Sequence, residues 1–188
     1  MCKPLGVGTW IYIWNFRAHP LNFAYGHAAL FVRDKRGREA YISWWPRPNT
    51  ELPVSEGGHR RIPDPKIPYA YDAQAVAHRS YRRDVDIEEQ EADHSFKIKG
   101  LDEEKIIDYF EDLTLLKDGV QHSGPILPWS AKYNNCSTVV YNALLAGGAN
   151  KYSNVYLFST LWTPNRVHEY AKDVKHKIEI SSSNPFNE

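Results

Sequence analysis

Asn134-Asn135-Cys136-Ser137-Thr138 leads into a short apolar stretch that Gly147-Gly148 close, and few features constrain a fold more tightly. Asn134 or Asn135 can cap a helix, and Val139, Val140, Ala143 and Leu144 recur at helical spacing before the two glycines end it. The segment is therefore predicted to bury one apolar face while presenting a cysteine in its first turn. A thiol there faces unpaired backbone N–H groups and the positive end of the helix macrodipole. Both favour thiolate over thiol.

The other elements follow from alternation and turn chemistry. Gly8 to Asn15 alternates and is rich in β-formers, Gly26 to Arg33 reads as a second strand, and Asp34-Lys35-Arg36-Gly37 as a turn. Glu39 to Trp45 is a third strand, ended by Pro46. In the second strand His27, Ala29 and Phe31 share one face, and Ala28, Leu30 and Val32 the other. The hairpin would set Tyr41-Ile42-Ser43 beside the strand that carries His27. Residues 46 to about 80, rich in Pro, Gly and Arg, read as a long functional loop. His94 to Lys99 alternates as a strand would. Asp102 then caps a helix with Leu101 stapled on Ile106, and Ile106, Ile107, Phe110 and Leu113 form its apolar face. Pro164 to about Ala171 is predicted as a short helix and Lys175 to Ile180 as a closing strand. Residues 1–180 are expected to form one domain and 181–188 a disordered tail.

Lys plus Arg and Asp plus Glu number 23 each, and this zero balance argues against a nucleic-acid partner or an anionic membrane surface held by charge. No apolar run is long enough to be an integral membrane segment, and the first residues lack a signal-peptide pattern. Synthesis in a cytosol is expected; if the chain acts elsewhere, dedicated machinery or a larger parent protein must carry it there. Two distant cysteines, Cys2 and Cys136, do not make a disulfide framework. No Cys-x-x-Cys, His-x-x-x-His or His-Glu-x-x-His spacing occurs, and no phosphate-cradling glycine loop, so neither metal nor cofactor is expected. Aromatics cluster about the histidine: Trp10, Tyr12, Trp14, Phe16, Phe23, Tyr25, Trp44 and Trp45. They are either core or the wall of an apolar groove suited to an acyl chain or a peptide.

Of eight histidines, His27 stands apart because Gly26 permits close backbone approach and a rigid apolar strand follows it. Aimed at Cys136, it would complete a Cys–His pair for acyl transfer. A third group should orient the imidazole; Ser43, Asp72, Asp84, Asp86 and Glu88 are candidates among which the residues alone do not choose.

Gly26-His27-Ala28-Ala29-Leu30, Tyr41-Ile42-Ser43-Trp44-Trp45-Pro46, Gly100-Leu101-Asp102 and Asn135-Cys136-Ser137 with Gly147-Gly148 form an ordered series. The series, from about residue 6 to about 150, resembles the circularly permuted NlpC/P60-like branch of the papain-like cysteine enzymes. It is nearest to a bacterial toxin and effector subset. That subset includes Rho-inactivation domains, which attach long fatty acyl chains to host lysines, and type VI secretion hydrolase effectors. The resemblance implies an α+β, papain-like fold in which a small antiparallel sheet packs on the cysteine helix. It implies Cys136 as nucleophile, His27 as general base and, because acyltransferase members place an aspartate between these two, Asp84 in preference to Asp86. Ser43, Trp44, Trp45 and Asn135 would line the binding site.

The expected activity is cysteine-dependent acyl transfer, with hydrolysis of an amide bond in peptidoglycan or protein as the leading outcome. A lysine fatty acyltransferase or a lipid-acting thiol enzyme is the alternative, and a binding module that lost its chemistry a further one. The partners expected are a protein, peptidoglycan or acyl-lipid substrate and, for an antibacterial effector, a cognate immunity protein.

Overall fold

Along β1 (Gly8–Trp14), Ile11 and Ile13 turn to one side while Trp10, Tyr12 and Trp14 turn to the other, and this division organises the whole molecule. The structure, a computed structural model, describes residues 6–19, 22–24, 26–45, 80–114, 116–117, 120–121, 134–155 and 159–183. After β1 come β2 (Arg17–His19), β3 (Asn22–Ala24), β4 (His27–Arg33) and β5 (Glu39–Ile42). Helix α1 (Tyr81–Glu88), β6 (His94–Ile98) and α2 (Glu103–Thr114) follow, then the two-residue strands β7 (Leu116–Lys117) and β8 (Val120–Gln121). Helix α3 (Cys136–Ala146), a 3₁₀ turn (Ala149–Lys151) and α4 (Pro164–Ser183) complete the order.

The main sheet is antiparallel with strand order β5-β4-β1-β6. Its first face, built by Ile11, Ile13, Ala28, Leu30, Val32, Ile42 and Ile98, packs on α2, α3 and α4 through Ile106, Ile107, Val140, Leu144, Val167 and Val174. Each fully buried Leu or Ile contributes about 1.5–3 kcal/mol relative to exposure, so this layer is the chief source of stability. The second face carries Trp10, Tyr12, Trp14, Ala29, Phe31 and Tyr41, against which α1 lays Tyr81 and Val85. This is the α+β arrangement expected, a small antiparallel sheet packed against helices.

Turn and cap chemistry behave as the residues dictate. Asp34 Oδ1 accepts the backbone N–H groups of Arg36 and Arg38, closing the β4–β5 hairpin. Asp102 Oδ1 accepts the N–H of Lys105 at the start of α2.

Two expectations at the C-terminus are corrected. Lys175 to Ile180 is not a strand, because α4 continues unbroken from Pro164 to Ser183. Val167, Tyr170, Ala171, Val174 and Ile178 are buried at a 3.6-residue period, which outweighs the brief alternation of Lys-His-Lys-Ile-Glu-Ile. Ile180, which a strand would bury with Ile178, is 53 % exposed. Ser181 to Ser183 are the last turn of that helix rather than the start of a tail. The long loop expected over residues 46 to 80 lies outside the described residues, apart from Ser80, whose side chain caps α1.

Candidate active site

Cys136 opens α3, held there by a capping box in which Asn135 Oδ1 accepts the N–H of Thr138 at 3.1 Å and the Thr138 hydroxyl accepts the N–H of Asn135. The amide of Asn135 also donates to the carbonyl of Trp162 at 3.0 Å, tying the helix start to the segment before α4. Asn135 is thus occupied in fixing the helix terminus. Ser137 is fully buried, its Oγ 3.9 Å from Cys136 Sγ.

His27 is the first residue of β4, opposite Trp14 of β1. Gly26 before it has φ of 75°, and a Cβ there would fall 2.5 Å from the Trp14 carbonyl oxygen and 2.9 Å from the Phe16 nitrogen. All the nearest atoms are backbone and cannot move aside, so only glycine fits. Gly26→Ala is expected to lower the melting temperature by roughly 5–10 °C, the equivalent of about 2–3 kcal/mol in a domain of this size, as read by differential scanning calorimetry.

The imidazole of His27 hydrogen-bonds the Cys136 side chain, and the sulfur also accepts the N–H of Ala28. On its other side Nε2 lies 2.9 Å from Ser43 Oγ and 3.3 Å from Asp84 Oδ2, which leaves Nδ1 for the sulfur. Asp84 comes from α1 and is completely buried. Tyr41 Oη donates to its Oδ2 and Trp45 Nε1 to its Oδ1, both at 2.8 Å. The Trp45 ring stacks on His27 with centroids 4.2 Å apart.

The electrostatics follow from this packing. Burial opposes a charge on His27, but the Asp84 carboxylate and the Cys136 sulfur together overcome it and lift the imidazole from 6.5 to about 9. Burial likewise pushes Asp84 up, while the charge and hydrogen bond of His27, with Ser43 and Tyr41, bring it down to about 2. Burial raises Cys136, but His27, the Ala28 N–H and Ser137 outweigh it and lower the thiol from its ordinary value. Each shift favours the charged form of its group: imidazolium at His27, carboxylate at Asp84 and thiolate at Cys136.

Of the remaining candidates, Asp86 pairs with Arg82 at 3.1 Å, Glu88 pairs with Arg17 at 2.8 Å, and Asp72 lies outside the described residues. Ser43 and Trp45 stand beside His27, whereas Trp44 turns to the opposite face and is buried with the main core. Tyr41, which residue type alone did not single out, reaches the carboxylate directly. His94 stacks on His168, centroids 4.0 Å apart. Among the described residues no group of three or more His, Cys, Asp or Glu side chains could hold a metal ion, and no helix is long and apolar enough to cross a membrane.

The sequence matches the IcsB middle domain in two overlapping stretches, residues 7–123 and 90–185, which together take in the sheet, the helices and every residue of this cluster. The chain belongs to the IcsB middle-domain family. Membership bears out the likeness to papain-like, NlpC/P60-related proteins of the bacterial effector type. No curated protein and no solved structure matches the chain. In this IcsB-family domain the contact between β4 and the start of α3 forms a Cys–His pair consistent with a cysteine-dependent enzyme.

Proposed function

We propose that the protein is a cysteine-dependent acyltransferase that moves an acyl group from a thioester donor to a lysine amine, with Cys136 as nucleophile, His27 as acid and base and Asp84 as orienting carboxylate. One observation carries the choice of transfer over hydrolysis. Asp84 lies between His27 and Cys136 in the chain and sits, buried, 3.3 Å from His27 Nε2. That is the place where the fatty-acylating relatives named by the resemblance carry their aspartate. The order histidine, aspartate, cysteine also supports the permuted arrangement of the papain-like fold.

The thiolate of Cys136 attacks the thioester carbonyl, and N–H groups of the first turn of α3 stabilise the oxyanion. Collapse expels the carrier thiolate, which takes the proton of the His27 imidazolium and leaves as a thiol. Neutral His27 then accepts a proton from the lysine amine as it attacks the acyl-cysteine carbonyl. The Cys136 thiolate departs, the amide is complete, and the ion pair is restored.

The test uses an alkyne-tagged long-chain acyl-CoA and a eukaryotic cell lysate as acceptor. Hydroxylamine-resistant label on lysines is expected, reduced at least about a thousandfold in Cys136→Ala. Free fatty acid as sole product, or cleavage of peptidoglycan stem peptides or phospholipid instead, would overturn acyl transfer in favour of hydrolysis.

A further inference from the structure

Tyr41 of β5 and, just beyond its end, Ser43 and Trp45 occupy alternate positions, and all three converge on one buried carboxylate. Tyr41 Oη and Trp45 Nε1 take opposite oxygens of Asp84, each at 2.8 Å. Ser43 also hydrogen-bonds Asp84 while its Oγ lies 2.9 Å from His27 Nε2. With His27 at 3.3 Å on Oδ2, the acceptor positions of the carboxylate are close to filled, three of them by neutral donors. A carboxylate held at both oxygens cannot rotate about its Cβ–Cγ bond without breaking a buried hydrogen bond. Trp45 makes a second contact that Tyr41 does not, because its ring face lies 24° from parallel to the imidazole. An indole face attracts a cationic ring, so the same residue also restrains the tilt of His27.

We propose that Tyr41 and Trp45 are positioning residues: between them they lock the Asp84 carboxylate with Oδ2 turned to His27 Nε2, and so hold the ring with Nδ1 toward Cys136. The inference rests on the Cys136–His27 pair of the proposed function and goes beyond it, since it moves Trp45 from the wall of a groove to the support of the catalytic charge. Ser43 shares the carboxylate with these two, and the acidic and phenolic groups nearest the cluster are engaged elsewhere. Glu88, one turn beyond Asp84 on α1, is engaged by Arg17, and Tyr81 of α1 hydrogen-bonds Glu91 and the N–H of Ala92. Tyr12 of β1 packs against Tyr41 and Tyr81 by its ring. Burial, with the Asp84 carboxylate behind it, pushes the Tyr41 phenol far up, so it stays a donor throughout the working range.

The test compares Tyr41→Phe, Trp45→Phe and the wild type, with and without Asp84→Ala, in the full chain. Two readouts need no substrate: the rate of Cys136 alkylation by iodoacetamide at pH 6, and the ring N–H resonances of ¹⁵N-histidine-labelled protein. Each single variant is expected to slow alkylation about three- to tenfold and to lose the protected Nε2–H signal of His27 to solvent exchange. In the Asp84→Ala background the same changes are expected to have no further effect, because both act through that carboxylate. An unchanged His27 signal with alkylation within twofold of wild type would overturn the proposal, as would slowing that persists undiminished without Asp84. Should Asp84→Ala or Trp45→Phe fail to fold, Tyr41→Phe decides by the His27 resonance, since it removes a single oxygen. Absence of lysine acylation would strike the proposed function and leave this inference standing. Intact acylation with an unmoved His27 signal would do the reverse.

Discussion

His27→Ala slows alkylation of Cys136 at pH 6 by up to about thirtyfold, while general thiol reagents at pH 9 show little difference between variant and wild type. The size follows from two opposing effects. Without the imidazolium the thiol returns at least to an ordinary value near 8.5, and only about 0.3 % is thiolate at pH 6. Measured against a fully ionised sulfur, the loss at that value is at most roughly three-hundredfold, and it is partly offset, because a thiolate of higher pKa is intrinsically more nucleophilic, by about a factor of ten. Burial adds to the loss, since it favours the neutral thiol and the variant has nothing beside Ala28 and Ser137 to oppose it. Acyl transfer falls further than alkylation, by about 10²–10⁴ beyond it, because the same ring must also move two protons per cycle. Parallel rates in wild type and variant at pH 6 would mean that the contact between β4 and α3 does not activate the sulfur, and the acyl-enzyme would have no starting point.

How far the sequence discloses this site depends on the range of the interactions involved. The helix that begins at Cys136 is legible because its cap, apolar face and terminal glycines are all local, and Asn135, Thr138 and Gly147 behave as their types require. β4 and its hairpin are legible for the same reason, the Asp34 turn fixing the register. That register holds a signal that residue types alone do not give. Phe31 pairs with Tyr41, so continuing the ladder sets Ser43 opposite Ala29 and Trp45 opposite His27, all on one face. The alternation of a strand is thus enough to put Tyr41 on the same side of the sheet as His27. No comparable rule places Asp84. Helix α1 is short and strongly polar, and nothing in Tyr-Arg-Arg-Asp-Val-Asp-Ile-Glu says which carboxylate turns inward until the helix is laid on the aromatic face. Its burial is a tertiary fact, balanced by three donors from a strand some forty residues earlier. Reading Lys175 to Ile180 as a strand fails for the converse reason. A six-residue alternation satisfies a strand locally, while the period that decides the matter runs from Val167 to Ile178 along the helix.

Asp84→Asn tests the charge rather than the shape of the cluster, and its consequences differ on the two sides of neutrality. Tyr41 and Trp45 point donors at opposite oxygens, so an asparagine can accept from only one; its oxygen stays on the indole N–H, which can only donate, and its amide nitrogen then faces Tyr41 and His27. That orientation favours a proton on Nδ1 and a lone pair on Nε2, the wrong tautomer for a base that must face Cys136, and turnover is expected to fall about 10²–10⁴-fold. The alkaline limit of activity moves as well. In the wild type it lies near the His27 value of about 9, and without the carboxylate it shifts toward 6.5 or below, because burial is then opposed by Cys136 alone. Stability reports the same coupling. His27 is raised in the folded state, so its contribution is complete below 6.5 and is lost as pH rises through about 9. Asp84 is depressed, so its contribution is complete above 3.8 and is lost as pH falls through about 2. Both limits describe one interaction between two fully buried groups, worth roughly 2–3 kcal/mol and not to be counted twice. Cys136, lowered in the folded state, titrates in the opposite sense and offsets His27 in the wild type, so the decline is read in the Cys136→Ala background, where the melting temperature is expected to hold between about pH 4 and 6.5 and to fall by several degrees toward pH 9.5. With Asp84→Asn added to that background, the alkaline decline should be at most half as large. An equal decline in both proteins would show that the carboxylate does not hold the charge on His27, and the thiolate would have to owe its stability to the helix terminus instead.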